Sequence, residues 1–215
     1  MIDKERLAKQ LKVYVVTDER DNGEELLPIL DAAIVGGATA IQLRRKQELG
    51  RRFVELGKSI RRLTRERGVL FFVNDRVDVA YVVDADGVHI GQDDMNISDA
   101  RSLLGPDKII GVSAETVQEA VEAEQSGADY LGVGAVYTTL SKPDAGYTGL
   151  SGLREIVQAV RIPVVAIGGI TAANAAEPLA AGACGVAVVS AVMSAQSPQQ
   201  AVREFVRLTS ASTER

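Results

Sequence analysis

The chain has 215 residues, 24 Lys and Arg against 29 Asp and Glu, a formal charge of −5, and a hydrophobic fraction of 46%. That composition suits one ordinary globular domain, and its mild acidity argues against a broad grip on nucleic acid while leaving room for a local cationic pocket. The single cysteine, Cys184, excludes an internal disulfide, and the absence of Cys/His ligand spacings argues against a structural zinc site.

The charged stretch Met1 to Arg6 lacks the apolar core of a secretory signal, so a cytoplasmic, reducing location is expected. No apolar run approaches the ~20 residues that a membrane-spanning helix needs. In chain order, Asp3 to Leu11 reads as a helix, followed by short β-branched strands alternating with amphipathic stretches. The predicted strands are Val13 to Thr17, Ala40 to Arg44, Leu70 to Asn74, Gly87 to Ile90, Ile109 to Ser113, Tyr130 to Gly134, Val164 to Ile167 and Val186 to Val189. The intervals hold a helix and two short loops, which suits parallel βαβ crossovers. Helix ends are marked by a weak repeat, Gly37-Ala38-Thr39, Gly127-Ala128-Asp129 and Gly182-Ala183-Cys184, and helix starts by Thr171 and by Ser197-Pro198. Eight units in 215 residues predict a compact (β/α)8 TIM barrel with an extra N-terminal helix, residues 1–215 forming one domain. An open doubly wound sheet is the alternative, but no G-x-G-x-x-G follows the first strand.

In a barrel, the C-terminal strand ends share one mouth, and the polar residues predicted there carry the functional reading. Alternation puts Gln42 and Arg44 on one side of the second strand, with Lys46 continuing past its end, so three donors can face one anion. A solvated helix cap is the structural alternative. Asn74-Asp75 and Gln92-Asp93-Asp94 end neighbouring strands, so a carboxylate from each could hold one divalent cation such as Mg2+, completed by water and substrate phosphate. Spacing alone does not separate that reading from two helix N-caps. Gly168-Gly169 and Ser190, after the seventh and eighth strands, lie where barrels bind phosphate. Residues 137–148, rich in Thr, Ser, Lys, Pro and Gly, read as a loop over the mouth. His89 reads as a hydrogen-bonded structural residue rather than a base, and Cys184 as packing.

The ordered set Gln42-Leu43-Arg44-Arg45-Lys46, Val73-Asn74-Asp75-Arg76, Gly87-Val88-His89-Ile90-Gly91-Gln92-Asp93-Asp94, Gly111-Val112-Ser113, Thr139-Leu140-Ser141-Lys142-Pro143 and Ile167-Gly168-Gly169-Ile170 resembles the thiamine-phosphate synthase family over nearly the whole chain. The resemblance implies a transferase that joins hydroxymethylpyrimidine diphosphate to a thiazole phosphate and releases diphosphate by a dissociative route. It implies that Gln42, Arg44, Lys46, Asn74, Ser113 and Lys142 contact the pyrimidine diphosphate and that Asp75 and Asp94 ligand magnesium. Thr139, Ser141, Gly169, Val189 and Ser190 would hold the thiazole phosphate. Thr138, where the family usually has proline, and Arg45, where an acidic residue is common, depart from the pattern. The related thiazole tautomerase is a competing reading, but it generally lacks the diphosphate and metal residues, and Glu115 stands where its histidine would fall. A non-catalytic phosphate-binding paralogue is a third reading. The expected partners are small molecules, without nucleic acid or membrane, and a homo-oligomer is left open.

Overall fold

A computed structural model of the chain describes residues 2–20, 25–139 and 146–211. Its strands are β1 (Val13–Val16), β2 (Ala40–Leu43), β3 (Leu70–Asn74), β4 (Gly87–Ile90), β5 (Ile109–Ala114), β6 (Tyr130–Val133), β7 (Val164–Ile167) and β8 (Gly185–Val188). All pair in parallel, and β8 returns to β1, closing the barrel in sequence order. Around them run α2 (Leu26–Gly36), α3 (Gly50–Arg67), α4 (Val77–Val82), α5 (Ile97–Leu104), α6 (Val117–Gln125), α7 (Gly149–Ala159), α8 (Ala176–Ala180), the short α9 (Ser190–Met193) and α10 (Pro198–Ala211). The TIM-barrel expectation therefore holds, and the strands differ from it by one residue or less at each end.

Alternation along each strand divides the apolar residues into two cores. Val13, Val15, Ile41, Leu43, Phe71, Val73, Leu131 and Val133 face the helices in one buried cluster. Tyr14, Val16, Ala40, Phe72, Tyr130, Val165 and Ala187 point inward and form the other, together with Leu7 and Leu11. The extra helix α1 (Lys4–Gln10) thus closes the N-terminal end of the barrel, its first turn held by Asp3, whose Oδ1 accepts from the N–H groups of Glu5 and Arg6. Among the described residues no helix is long and apolar enough to cross a membrane.

The sequence repeat has a structural counterpart at that same end. Thr39, Asp86, Asp129 and Cys184 each precede an even-numbered strand, and each donates its backbone N–H to the preceding strand, at Val13, Phe71, Ile110 and Val164 respectively. Their side chains return the bond. Thr39 Oγ1 accepts from Val13 N at 3.0 Å, Asp86 Oδ2 from Phe71 N at 2.8 Å and Asp129 Oδ2 from Ile110 N at 2.8 Å. The thiol of Cys184 takes the N–H of Val164, while burial pushes its pKa up to about 12, so it is an unreactive member of the same set. Arg61 and Arg101 cross from the helix layer to pair with Asp86 at 2.8 Å and with Asp129 at 2.7 Å.

Ser197-Pro198 opens α10 as expected, with Ser197 Oγ accepting from Gln200 N. Thr171 does not start a helix. Its N–H is taken by Asn174 Oδ1 at 2.8 Å and its carbonyl by Asn174 N, which closes a turn and delays the helix to Ala176.

Candidate active site

One cavity opens among the C-terminal strand ends. Eleven of the residues singled out from the sequence line it: Gln42, Arg44, Lys46, Asn74, Asp75, Asp94, Ser113, Thr139, Gly169, Val189 and Ser190. Ser141 and Lys142 lie outside the described residues, as does residues 140–145 of the loop expected over the mouth.

Arg44 is set by the end of β1. Thr17 donates its N–H to the Gln42 carbonyl, and its hydroxyl accepts from Arg44 N at 2.9 Å and donates to Arg44 O. Glu19 Oε1 then accepts from Lys46 N at 2.7 Å and lies 3.7 Å from the Arg44 guanidinium. This segment caps no helix, because α3 begins only at Gly50, after Leu49. Arg45 turns away, donating to the Arg20 carbonyl and pairing with Glu48 at 2.8 Å.

The two carboxylates come together. Asp75 sits at φ 60°, a left-handed conformation that Asp tolerates better than most side chains, and its N–H is held by His89 O at 2.8 Å. Asp94 Oδ2 accepts from Gly91 N at 2.7 Å. Burial raises the Asp75 pKa, and the neighbouring Asp94 carboxyl raises it further, by hydrogen bonding and by its charge; Lys46, with Nζ 3.2 Å from Oδ2, opposes them. Neither is a helix cap: Arg76 precedes α4 without a side-chain cap bond, and Asn96 caps α5. Among the described residues no group of three or more His, Cys, Asp and Glu gathers.

On the opposite side, Gly168 and Gly169 hold φ 98° and 65° at the end of β7, and Ser190 begins α9 beside Val189 after β8. The cavity floor shows what the strand-end reading missed. Gln42 is buried, and rather than projecting freely toward an anion its Nε2 donates to Tyr14 Oη at 2.9 Å. Tyr14 Oη meets Tyr130 Oη at 2.9 Å, Tyr130 Oη meets His89 Nδ1 at 3.0 Å, and His89 Nε2 meets Ser113 Oγ at 3.0 Å. Glycines make the space: a Cβ on Gly111 would stand 2.1 Å from Tyr130 Cζ, and one on Gly132 would stand 2.8 Å from His89 Cε1. Burial raises both tyrosine pKa values, so both rings remain neutral phenols. Glu115 is a further lining residue missed as part of the site; its Oε1 accepts from Gly146 N at 2.9 Å and ties the end of β5 to the segment before α7.

Residues 13–192 match a sequence model described as thiamine monophosphate synthase. The chain belongs to the thiamine monophosphate synthase family. Among its relatives, a thiamine-phosphate synthase from Moorella thermoacetica is 55% identical over 198 residues, covering 91% of this chain and 94% of that protein. One from Pyrococcus furiosus is 51% identical over 202 residues, covering 94% and 96%. The solved structure of a thiamine phosphate pyrophosphorylase from Pyrococcus furiosus superposes with a TM-score of 0.87 at 48% identity, covering 96% of this chain and 98% of that one. A 3-hexulose-6-phosphate synthase from Salmonella typhimurium, 18% identical with a TM-score of 0.75, shares the barrel fold. Family membership gives the gathered carboxylates and cations an enzymatic context.

Proposed function

We propose that this member of the family transfers a hydroxymethylpyrimidine group from its diphosphate to the ring nitrogen of a thiazole phosphate, giving thiamine phosphate and diphosphate. The observation that carries the reading is the convergence of Asp75 and Asp94, neither of them a helix cap, beside Lys46 and Arg44 in one cavity. A carboxylate whose proton affinity is raised by burial and by a second carboxylate beside it is poorly matched to one lysine and well matched to a hard divalent cation. In this reading Asp75 and Asp94 hold Mg2+, which when bound neutralises charge on the diphosphate.

Arg44 and Lys46 face the leaving diphosphate, and the sequence adds Lys142 from the loop. The C–O bond to the pyrimidine methylene breaks with its electron pair going to the diphosphate oxygen. The positive groups gain more from that developing charge than from the ground state, which is the condition for acceleration. The thiazole nitrogen then donates its lone pair to the pyrimidine cation to form the C–N bond. No strong base is called on, which fits a cavity whose histidine is engaged through both ring nitrogens. Gln42, Asn74 and Ser113 position the pyrimidine half. Thr139, Gly169, Val189 and Ser190 receive the thiazole phosphate, with Ser141 added from the sequence; Gly169, Val189 and Ser190 follow β7 and β8, where barrels bind such groups. Holding both substrates in one cavity supplies the entropic share of the acceleration. Both substrates are small soluble phosphates, which suits a cytoplasmic enzyme.

The test is incubation of purified protein with both substrates, with and without Mg2+, followed by quantification of thiamine phosphate and diphosphate. Equimolar, Mg2+-dependent formation of both products is expected. Thiazole isomerisation without coupling, or binding without turnover, would overturn the reading.

A further inference from the structure

The bonds beneath the cavity form one chain across the barrel, from Gln42 on β2 through Tyr14 on β1, Tyr130 on β6 and His89 on β4 to Ser113 on β5. Each buried phenol has one proton, which must go to a neighbour that can accept it, so fixing the direction at one end fixes it throughout. The end that fixes it is Gln42. Its amide nitrogen can only donate, so the Tyr14 hydroxyl accepts there and must send its proton to Tyr130 Oη. Tyr130 then sends its own proton to His89 Nδ1, which must be bare. The ring proton of a neutral His89 therefore sits on Nε2 and is given to Ser113 Oγ. Ser113, having accepted from below, keeps its hydroxyl proton for another partner, and Ser113 lines the cavity.

We infer that this directed chain holds His89 as the neutral Nε2–H tautomer and thereby makes Ser113 a hydrogen-bond donor into the cavity. Tyr14, Tyr130 and His89 are positioning residues that act through Ser113. The inference deepens the proposed function and rests on it for the ligand: the acceptor belongs to the pyrimidine diphosphate, either a ring nitrogen or a diphosphate oxygen. The reverse polarity would leave Ser113 an acceptor and a poor partner for either.

His89 is the sole histidine, so a long-range 1H–15N correlation spectrum of uniformly labelled protein at mildly alkaline pH reports one imidazole. A pyrrole-like shift at Nε2 and a pyridine-like shift at Nδ1 are expected. An Nδ1–H tautomer would mean that the Gln42 carbonyl faces Tyr14 and the chain runs backwards, and either that result or an imidazolium would overturn the inference. This reading is independent of turnover, so it stands or falls separately from the proposed coupling reaction. Tyr130→Phe keeps the ring and removes the central link. The expected results are loss of the Nε2–H preference and a change of about 3- to 10-fold in the kinetics with the pyrimidine diphosphate. A rise in KM at constant kcat would assign the acceptor to the pyrimidine ring, and a fall in kcat would assign it to the diphosphate. Wild-type tautomer and wild-type kinetics together in Tyr130→Phe would overturn the inference.

Discussion

The two ends of this barrel treat partly buried charge in opposite ways. At the N-terminal end, Asp86 and Asp129 each accept from a strand N–H and pair with an arginine of the helix layer, Arg61 or Arg101. At the C-terminal end, Asp75 and Asp94 face each other with Lys46 beside them, and the Asp75 pKa rises through burial and its carboxylate neighbour. A carboxylate surrounded by donors locks strands to helices. A pair of carboxylates short of positive charge costs stability and is poised to take up a cation. The residue type is the same, and its partners decide whether it serves folding or chemistry.

The sharpest way to separate the ends is Asp75→Asn. It should lower kcat by ~10²-fold or more, the order seen when one preorganised electrostatic group is removed from a site, and steady-state kinetics on the folded variant measure this. The same variant should be as stable as wild type or more so at neutral pH. The folded state holds the Asp75 carboxyl above its usual range, so the stability this group contributes is complete in acid and is lost as pH rises through the raised value. Chemical denaturation at several pH values should show the advantage of Asn shrinking toward acid. Asp129→Ala is the mirror case. It strands the Ile110 N–H and removes the carboxylate partner of Arg101, which keeps the Gly105, Lys108 and Gly127 carbonyls, so it should cost about 1 to 3 kcal/mol of stability while kcat below the unfolding transition stays close to wild type. Asp3→Ala, which uncaps the helix closing the N-terminal end, should cost about 1 kcal/mol by the same assay. Cys184→Ser, which keeps an acceptor for Val164 N–H, should change stability least, and iodoacetamide should leave the native wild-type thiol unmodified.

Strand positions were legible because period-two alternation and the Gly-Ala markers before the strands reflect constraints local in sequence. The repeat even located Thr39, Asp129 and Cys184, although their shared bond to the preceding strand needs the barrel to be seen. Helix starts were less legible. A Thr followed by Ala-Ala-Asn reads as an N-cap, but Asn174 bonds back to Thr171 and closes a turn instead. Eleven of the named residues line one cavity because barrel topology brings strand ends together whatever their distance in the chain. Whether Asp75 and Asp94 capped helices was not readable, since caps and ligands draw on the same residue types; the structure gives the N-cap positions to Arg76 and Asn96. Tyr14 and Tyr130 escaped notice because an inward aromatic near the start of a strand looks like packing. Only the facing hydroxyls, supplied by strands remote in sequence, reveal a polar chain.

The central claim is that Asp75 and Asp94 act as one cation site for a departing diphosphate. Its most direct test is calorimetric titration of inorganic diphosphate into wild type, Asp75→Asn and Asp94→Asn, each with and without Mg2+. Wild-type affinity should rise strongly with Mg2+, and either substitution should abolish most of that rise while leaving the Mg2+-free affinity little changed. Equal Mg2+ enhancement in all three proteins would contradict the account.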